Sequence, residues 1–270
     1  MNFLIAMDLE GIHGVVGEPY GKLSKGCDAH TQARENALKE ANTAIRALYD
    51  AGADKVVFWD NHGGGGNLDS TKVDSRAIQV FPKGDPFRFD FVKQHQFDGI
   101  LLMGYHSREG TLGGVLAHTY NSSKIQYVKL DGKPVGEIEI DSYICATHGI
   151  PVLFLSGDDV CIRQAKETLP HMTTVVTKFG KSRNTADLRE PTVVLDELYE
   201  GIRKAVTEKT VDMPLYPCPA KVEIRYTRME TAEEVYNKVK EDGKIPVEYG
   251  EDAHILHFTV HAINEIPKLL

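Results

Sequence analysis

The sequence is poor in cysteine, and the four cysteines that it has are widely scattered. They are Cys27, Cys145, Cys161 and Cys218, and no two of them form a Cys-x-x-Cys pair. Zinc knuckles and disulfide-stapled domains need closely spaced cysteines, so the sequence speaks against both classes. We expect four free thiols in a reducing cytoplasm, most of them packed as small hydrophobic side chains.

The sequence also lacks an excess of positive charge and any long apolar run. It has 31 Lys and Arg against 39 Asp and Glu, which gives a formal net charge of -8. Nucleic-acid binding depends on clustered Lys and Arg, so we expect no nucleic-acid partner. No apolar stretch approaches the roughly 20 residues of a membrane helix, so we expect no membrane partner. Asp8 and Glu10 interrupt the first apolar run, which argues against a secretory signal.

What the first two-thirds of the chain does have is an alternation of short apolar runs and amphipathic segments. Runs typical of buried strands occupy residues 3–7, 55–59, 77–80, 99–105 and 151–155. Segments with helical periodicity occupy residues 29–51, 87–95, 137–147 and 161–169. Strands that alternate with helices in this way predict an α/β fold with a mostly parallel sheet flanked by helices.

The pattern changes near residue 190. A hairpin is predicted for residues 125–134, where Asp131-Gly132 is a strong turn signal. Beyond residue 190 come a long amphipathic helix (193–206), an alternating strand (222–226), a helix (232–239) and a strand with a helix (256–266). We therefore predict a larger α/β domain over residues 1–190 and a smaller α+β domain over residues 191–270.

Acids and histidines follow several of the predicted strands. They are Asp8, Glu10, Asp60, His62, His106 and Asp158. In open α/β sheets ligands gather at the carboxyl ends of the strands, and residues two apart on a strand face the same side. Two neighbouring carboxylates repel each other unless a cation or a shared proton lies between them. The mixture of carboxylate and imidazole without thiolate suits Zn²⁺ or another first-row dication, and it permits two bridged ions.

A run of four glycines, residues 63–66, follows the second of these strands. It lacks the Lys-Ser/Thr of a P-loop and the spacing of a dinucleotide-binding loop, so it is a weak sign of phosphate binding. We expect instead that the glycines let the backbone approach the metal site closely.

Five short motifs occur in a characteristic order along the chain. They are Asp8-Leu9-Glu10-Gly11, Asp60-Asn61-His62, Gly104-Tyr105-His106, Leu116-Ala117-His118-Thr119 and Pro134-Val135-Gly136-Glu137. Together they resemble the signature of the M55 peptidases, the D-aminopeptidase family associated with dipeptide-transport operons. The resemblance covers residues 1–190, where Lys181-Ser182-Arg183 is also similar to the family.

The resemblance implies a two-zinc site built from five side chains. Asp8 would bridge both ions. Glu10 and His106 would complete the ligands of one ion. His62 and Glu137 would complete the ligands of the other. Periodicity and spacing alone do not select Glu137, because an acid at the start of a helix is commonly a favourable partner of the helix dipole.

The resemblance further implies that His118 is the catalytic histidine, acting as base or nucleophile, and that the subunits form a ring-based homodecamer. A dication polarises a peptide carbonyl and lowers the pKa of water, and a neutral His118 can move a proton from the water to the leaving amine. We therefore predict a metal-dependent aminopeptidase that removes the N-terminal residue of short peptides, with D-amino-acid peptides among its candidate substrates.

Two other functions stay open. Asp60-Asn61-His62 superficially resembles the Asn-His motif of binuclear metallophosphoesterases. That class expects Asp-x-His at the first strand, where this chain has Asp8-Leu9-Glu10. A binding protein with a structural metal is the third hypothesis, although structural sites seldom place this many carboxylates on open loops. Assays on a phosphate monoester and on an aminoacyl anilide distinguish the two enzymes.

Overall fold

The computed structural model describes residues 1–21, 23–82, 88–208 and 210–270. Its strands are β1 (Asn2–Met7), β2 (Lys55–Asp60), β3 (Ile78–Val80), β4 (Gly99–Met103), β5 (Ile125–Leu130), β6 (Lys133–Val135), β7 (Val152–Gly157), β8 (Thr173–Val176), β9 (Lys178–Ser182), β10 (Thr185–Leu188), β11 (Ala220–Tyr226), β12 (Val247–Tyr249) and β13 (Ile255–Val260). Its α-helices are α1 (Asp28–Asp50), α2 (Glu137–Thr147), α3 (Asp159–Ala165), α4 (Pro191–Glu208) and α5 (Met229–Asp242), and 3₁₀ helices span Asp90–Gln94 and Ile263–Leu269.

Six strands form a parallel sheet in the order β3-β2-β1-β4-β7-β8. The central strand β1 ends level with both neighbours, because Met7 pairs with Asp60 of β2 and with Met103 of β4. The segments that leave these three strands therefore start at one edge of the sheet. The α/β class predicted from the sequence is confirmed.

Both faces of this sheet are covered, which explains why its strands are apolar without interruption. In β1, Phe3, Ile5 and Met7 pack on the face covered by α1 and α4. Leu4 and Ala6 point to the other face, where α2 and the second sheet lie. Each strand thus divides its side chains between two hydrophobic cores, as the two-residue repeat of a strand requires.

The second sheet is antiparallel, in the order β12-β13-β11-β5-β6. The predicted hairpin supplies two of its strands, and its turn has positive φ at Asp131 (47°) and Gly132 (80°), as a tight hairpin turn requires. This sheet therefore takes strands from both sides of residue 190, while α4 packs on α1 and on the parallel sheet. The division into domains at residue 190 stays a prediction.

The segment predicted as a helix over residues 87–95 is shorter and tighter than expected. Residue 87 lies outside the described residues, and the rest holds only the 3₁₀ helix Asp90–Gln94. Phe89, directly before it, has a positive φ of 72°, and its ring packs 4.9 Å from that of Trp59. Packing of aromatic rings against β2 replaces the helical turn that the periodicity suggested.

The sequence analysis predicts free thiols and no membrane-spanning helix. All four cysteines are free, with Cys145 and Cys161 buried and Cys218 exposed. Cys27 caps α1 by accepting a hydrogen bond from the His30 N–H. Among the helices in the described part of the chain, none has the length and apolar content needed to cross a membrane.

Candidate metal centre

Two glycines let the segments after β1 and β4 approach each other. A Cβ atom on Gly104, whose φ is +67°, would lie 2.4 Å from the carbonyl oxygen of Asp8. A Cβ atom on Gly11 would lie 2.0 Å from the carbonyl oxygen of Tyr105. Only glycine fits at either position, because the obstacle is backbone and cannot rotate away. The close approach brings Asp8 to the end of β4.

The acids after β1 meet a histidine from the segment after β2. The Nδ1 atom of His62 lies 3.0 Å from Asp8 Oδ1 and 3.0 Å from Glu10 Oε2. Both acids are buried, with 4% of the surface of each exposed. Buried carboxylates need a compensating positive charge or hydrogen bond, and here they converge on one imidazole.

A second group forms around His106, at the end of β4. Its Nε2 atom lies 3.3 Å from Asp8 Oδ2 and 3.2 Å from Glu137 Oε1. Glu137 is the first residue of α2, where the helix dipole favours an ionised carboxylate. Its Oε1 atom also lies 3.7 Å from Nε2 of His118, and the rings of His106 and His118 stack with centroids 4.0 Å apart. Asp8 thus links the two groups into one cluster.

Hydrogen bonds fix the orientation of the two stacked rings. Nδ1 of His106 lies 2.9 Å from the carbonyl oxygen of Ser107, and Nδ1 of His118 lies 2.9 Å from that of Leu116. A carbonyl oxygen only accepts, so Nδ1 is the donor in both rings and Nε2 of the neutral ring carries the lone pair. Nε2 of His106 is buried and has no hydrogen-bond partner among the described residues. A buried lone pair that faces two carboxylates suits a metal ion.

Burial disfavours the charged form of these groups, but their mutual attraction outweighs it. His106 and His62 hold the pKa of the Asp8 carboxyl well below its ordinary value in spite of burial. Burial lowers the pKa of His106, yet Glu137 and Asp8 raise it well above its ordinary value. The pKa of His62 rises in the same way because of Glu10 and Asp8. The cluster therefore holds positive charge strongly, whether as protons or as a metal cation.

The donor atoms fit a metal centre in two overlapping groups. Among the described residues, Asp8, Glu10 and His106 bring one donor atom each within 4.8 Å of one another. The resemblance implied these same residues for one zinc ion. His106, His118 and Glu137 form a second group of this kind, although the resemblance makes His118 catalytic and not a ligand. The absence of thiolate from both groups suits zinc bound by imidazole and carboxylate.

The cluster opens into a cleft of about 670 Å³, a size common for ligand sites. Part of the glycine run at residues 63–66 forms one wall. A Cβ atom on Gly63, Gly64 or Gly66 would meet nothing within 4 Å, so of these glycines only Gly65 allows a close approach, with its Cβ position 3.1 Å from the carbonyl oxygen of Asp60. The run instead supplies positive φ at Gly63, Gly65 and Gly66, so its requirement is one of backbone conformation.

Comparison with known proteins agrees with this geometry. The sequence pattern of the M55 peptidases, described as D-aminopeptidase, matches residues 1–255. The chain belongs to the M55 peptidase family. This M55 peptidase is 28% identical over 217 residues to a D-aminopeptidase of Bacillus subtilis (strain 168), over 80% of this chain and 78% of that relative. Its fold matches that of the Zn-dependent D-aminopeptidase DppA from Bacillus subtilis, a self-compartmentalizing protease, with a TM-score of 0.88, 24% identity, and coverage of 100% of this chain and 95% of that one.

Membership in the family confirms the predicted class of enzyme. The M55 peptidase is a hydrolase of the metal-dependent aminopeptidase type, and the family match extends well beyond the residues that carry the five motifs. The hypothesis of a binuclear metallophosphoesterase gains no support from these relatives.

Two acids at strand ends of the M55 peptidase lie outside the cluster. Asp60 accepts backbone hydrogen bonds from the loop after β2, including one of 3.0 Å from Leu68 N. Asp158 caps α3 by accepting from Cys161 N at 2.7 Å, and it also accepts from Val115 N at 2.9 Å. Both acids therefore stabilise local backbone, as acids after strands commonly do.

Sequence reasoning missed a buried network behind Glu137. Arg88 donates to Asp141 from Nε at 2.6 Å and from Nη2 at 2.9 Å. The hydroxyls of Tyr105 and Tyr120 each donate to Asp141 at 2.8 Å, and Tyr120 N donates to Glu137 Oε1 at 2.8 Å. The four-residue spacing of Glu137 and Asp141 places both on one helix face, and this is the one sequence signal for the network.

Proposed function

We propose that this M55 peptidase removes the N-terminal residue of short peptides with the help of two zinc ions. The observation that carries the proposal is the buried meeting of carboxylates and imidazoles beside a cleft, at the carboxyl ends of β1, β2 and β4. Bound zinc supplies Lewis acidity toward a peptide carbonyl and a water, and paired-metal sites also suit the free α-amine of an aminopeptidase substrate. The zinc dependence of DppA supports the choice of metal.

We assign five side chains to the metal ions. Asp8 would bridge the ions, and this is supported by its two oxygens, of which Oδ1 faces His62 at 3.0 Å and Oδ2 faces His106 at 3.3 Å. The 3.0 Å distance between His62 Nδ1 and Glu10 Oε2 supports Glu10 and His62 as the further ligands of one ion. The 3.2 Å distance between His106 Nε2 and Glu137 Oε1 supports His106 and Glu137 as those of the other, which differs from the grouping that the resemblance implied. The Tyr120 N–H that donates to Glu137 would hold that carboxylate in place.

His118 would transfer the proton. Its Nδ1–H is directed at the carbonyl oxygen of Leu116, which leaves Nε2 basic. Its side chain lines the cleft and is 14% exposed, so a substrate can reach it. From this position Nε2 can accept a proton from the attacking water and return it to the leaving amine.

Three finer features of the proposal come from the relatives and the sequence. The relatives are D-aminopeptidases, so we propose a D-amino acid at the N-terminus of the substrate. DppA is self-compartmentalizing, so we propose a homo-oligomer, in the form of a ring-based homodecamer. We propose the cytoplasm as its location, on the strength of the four free cysteines.

Paired D- and L-alanyl anilides, together with a phosphate monoester, test this function. We expect the zinc-loaded protein to cleave the D-alanyl anilide, to cleave the L form more slowly and to leave the phosphate ester intact. A chelator should abolish the activity, and added zinc should restore it. Cleavage of the phosphate ester alone would overturn the proposal, and equal rates on both anilides would remove the preference for the D form.

A further inference from the structure

Among the described residues, three Lys and Arg side chains line the cleft, and they differ in what already binds them. They are Lys25, Arg88 and Arg183. The guanidinium of Arg88 is neutralised by its two hydrogen bonds to Asp141. Lys25 is exposed, so water solvates its ammonium group. Arg183 is half-buried, and no acid in the described ranges forms an ion pair with it.

Arg183 is also held in a fixed place. It lies in the turn between β9 and β10, and its carbonyl oxygen accepts a hydrogen bond of 2.8 Å from Leu116 N. Its Nη1 donates to the carbonyl oxygen of Ala117. The next residue, Asn184, donates from its side chain to the carbonyl oxygen of Val16 at 2.9 Å. With one guanidinium nitrogen used as an anchor, the N–H groups of Nε and Nη2 are available to a ligand.

The anchor of Arg183 lies directly beside the proposed proton donor. Ala117 precedes His118, which in the proposed function gives its proton to the leaving amine. In a dipeptide, the leaving nitrogen is bonded to the Cα atom that carries the free carboxylate. The carbon of that carboxylate therefore lies about 2.5 Å from the nitrogen. A cation fixed next to His118 is therefore well placed for the C-terminal carboxylate of a dipeptide.

The charge and shape of the Arg183 side chain suit a carboxylate. Arg183 lines the same cleft as Asp8, Glu10 and Glu137, and in the proposed function two zinc ions would offset the charge of these three acids, so the acids would not keep a substrate carboxylate out of the cleft. An arginine offers two parallel N–H groups that match a carboxylate and keeps its charge at every physiological pH. We infer that Arg183 binds the C-terminal carboxylate of dipeptide substrates and so selects peptides that end one residue after the cleaved bond. This inference rests on the proposed aminopeptidase function.

The test compares two substrates that differ by one charge. One is the dipeptide of D-alanine with a free carboxylate, and the other is the same dipeptide as its C-terminal amide. We expect the zinc-loaded wild type to prefer the free acid. Arg183→Met should lower kcat/KM for the acid by about tenfold to a hundredfold, mainly through KM, and should change kcat/KM for the amide by less than about threefold. Arg183→Lys should retain part of the preference because it retains the charge.

A matched control removes another positive charge from the same ribbon. Lys181 is exposed and pairs with Asp187 at 2.8 Å, so Lys181→Met should leave kcat/KM for both substrates unchanged.

Equal turnover of acid and amide by the wild type would overturn the inference and leave the proposed function standing, and this comparison needs no variant. Equal loss on both substrates in folded, metal-loaded Arg183→Met would also overturn it. If the wild type cleaves neither substrate but the anilide is cleaved, only the inference falls, and if nothing is cleaved the proposed function falls too.

Discussion

The rings of His106 and His118 stack, but only His118 lines the cleft, and their burial separates their expected roles. The side chain of His106 exposes 1% of its surface, against 14% for His118. A metal ligand gains from burial among carboxylates, whereas a group that transfers protons must meet the substrate. We therefore expect His118→Ala to keep its fold and its metal but to lose about 10²- to 10⁴-fold in kcat, with a smaller effect on KM. Elemental analysis and kinetics on one preparation measure both.

His106→Ala is the matched control for this prediction. It should lose metal and activity together, because Nε2 of His106 faces Asp8 and Glu137. Near-normal turnover by metal-loaded His118→Ala would contradict the catalytic role. Loss of metal from His118→Ala would instead make His118 a ligand, consistent with its position beside Glu137.

Glu40 is a buried acid on α1 whose ionisation should make stability depend on pH. Burial raises its pKa from 4.5 to about 7, although the His13 N–H and the charge of Lys178 oppose the rise. Between about pH 4.5 and 7 the folded chain keeps a proton that the unfolded chain releases, so stability from this group is lost as the pH rises. The free energy of unfolding of Glu40→Gln, measured relative to the wild type, should therefore be higher at pH 8 than at pH 5, by up to about 3 kcal/mol.

Urea unfolding at several pH values between 5 and 8 measures this effect. Glu35 is exposed on the same helix, so Glu35→Gln removes an equal charge from water and should show no such trend. Both variants keep the metal cluster, so its own pH dependence cancels in the comparison. A constant difference between Glu40→Gln and the wild type across this range would show that Glu40 is ionised throughout.

Local sequence patterns predict some of the candidate site residues, and others can be identified only from contacts between distant parts of the chain. The candidate ligands after β1, β2 and β4 were found because a parallel sheet brings its strand ends together. His118 and Glu137 were named only through the resemblance, since neither follows a strand of that sheet. Arg88 and Asp141 are 53 positions apart in the sequence and come into contact only in the folded chain, so no local pattern predicts this pair.

At the scale of elements, the β9–β10 ribbon holds the segment that carries Glu10. The ammonium of Lys178 in β9 is fully buried and donates to the carbonyl oxygens of Glu10 at 2.6 Å and Ile12 at 2.7 Å. The hydroxyl of Thr177 donates to the carbonyl oxygen of Gly11, between them. Three successive carbonyl groups are thus fixed from one direction, which sets the direction of the Glu10 carboxylate.

Lys178→Met should therefore weaken zinc binding by about 10- to 100-fold, the usual effect of removing a group that orients a ligand. Competition with a chelating dye measures the zinc Kd. Lys181→Met, in the same strand but exposed, should leave the zinc Kd unchanged. An unchanged zinc Kd in folded Lys178→Met would show that the Glu10 segment needs no support from β9.

Elements with strong local signals were predicted closely. Helix α2 has the predicted bounds, because an Asp-Gly hairpin and Gly136 precede it and apolar residues repeat through it. The strands β8, β9 and β10 were missed, because residues 173–188 show no clear alternation and rely on pairing with distant segments. Gly180 illustrates this dependence, since a Cβ atom there would lie 2.2 Å from the carbonyl oxygen of Gly113.

At the scale of the whole molecule, the alternation of strands and helices predicted the parallel sheet but not its neighbour. The order β3-β2-β1-β4-β7-β8 depends on which strand lies beside which, and apolar runs of similar composition do not encode that choice. The antiparallel sheet combines β5 and β6 with strands that follow much later in the chain, as in the pairing of Leu130 with Val222, which lie 92 residues apart. Such long-range pairs were beyond the local patterns on which the two-domain prediction depended.

The ring-based homodecamer of the proposed function predicts the mass of the particle in solution. That part of the proposal comes from DppA, which is self-compartmentalizing. A single chain also exposes large apolar side chains, with Tyr20 fully exposed and Leu112 95% exposed, and contact between subunits would cover such groups. We expect light scattering at micromolar concentration to give a mass of about 300 kDa for a decamer of 30.0 kDa chains. A mass of 30.0 kDa would contradict any assembly, and another whole multiple would keep the oligomer but exclude the decamer.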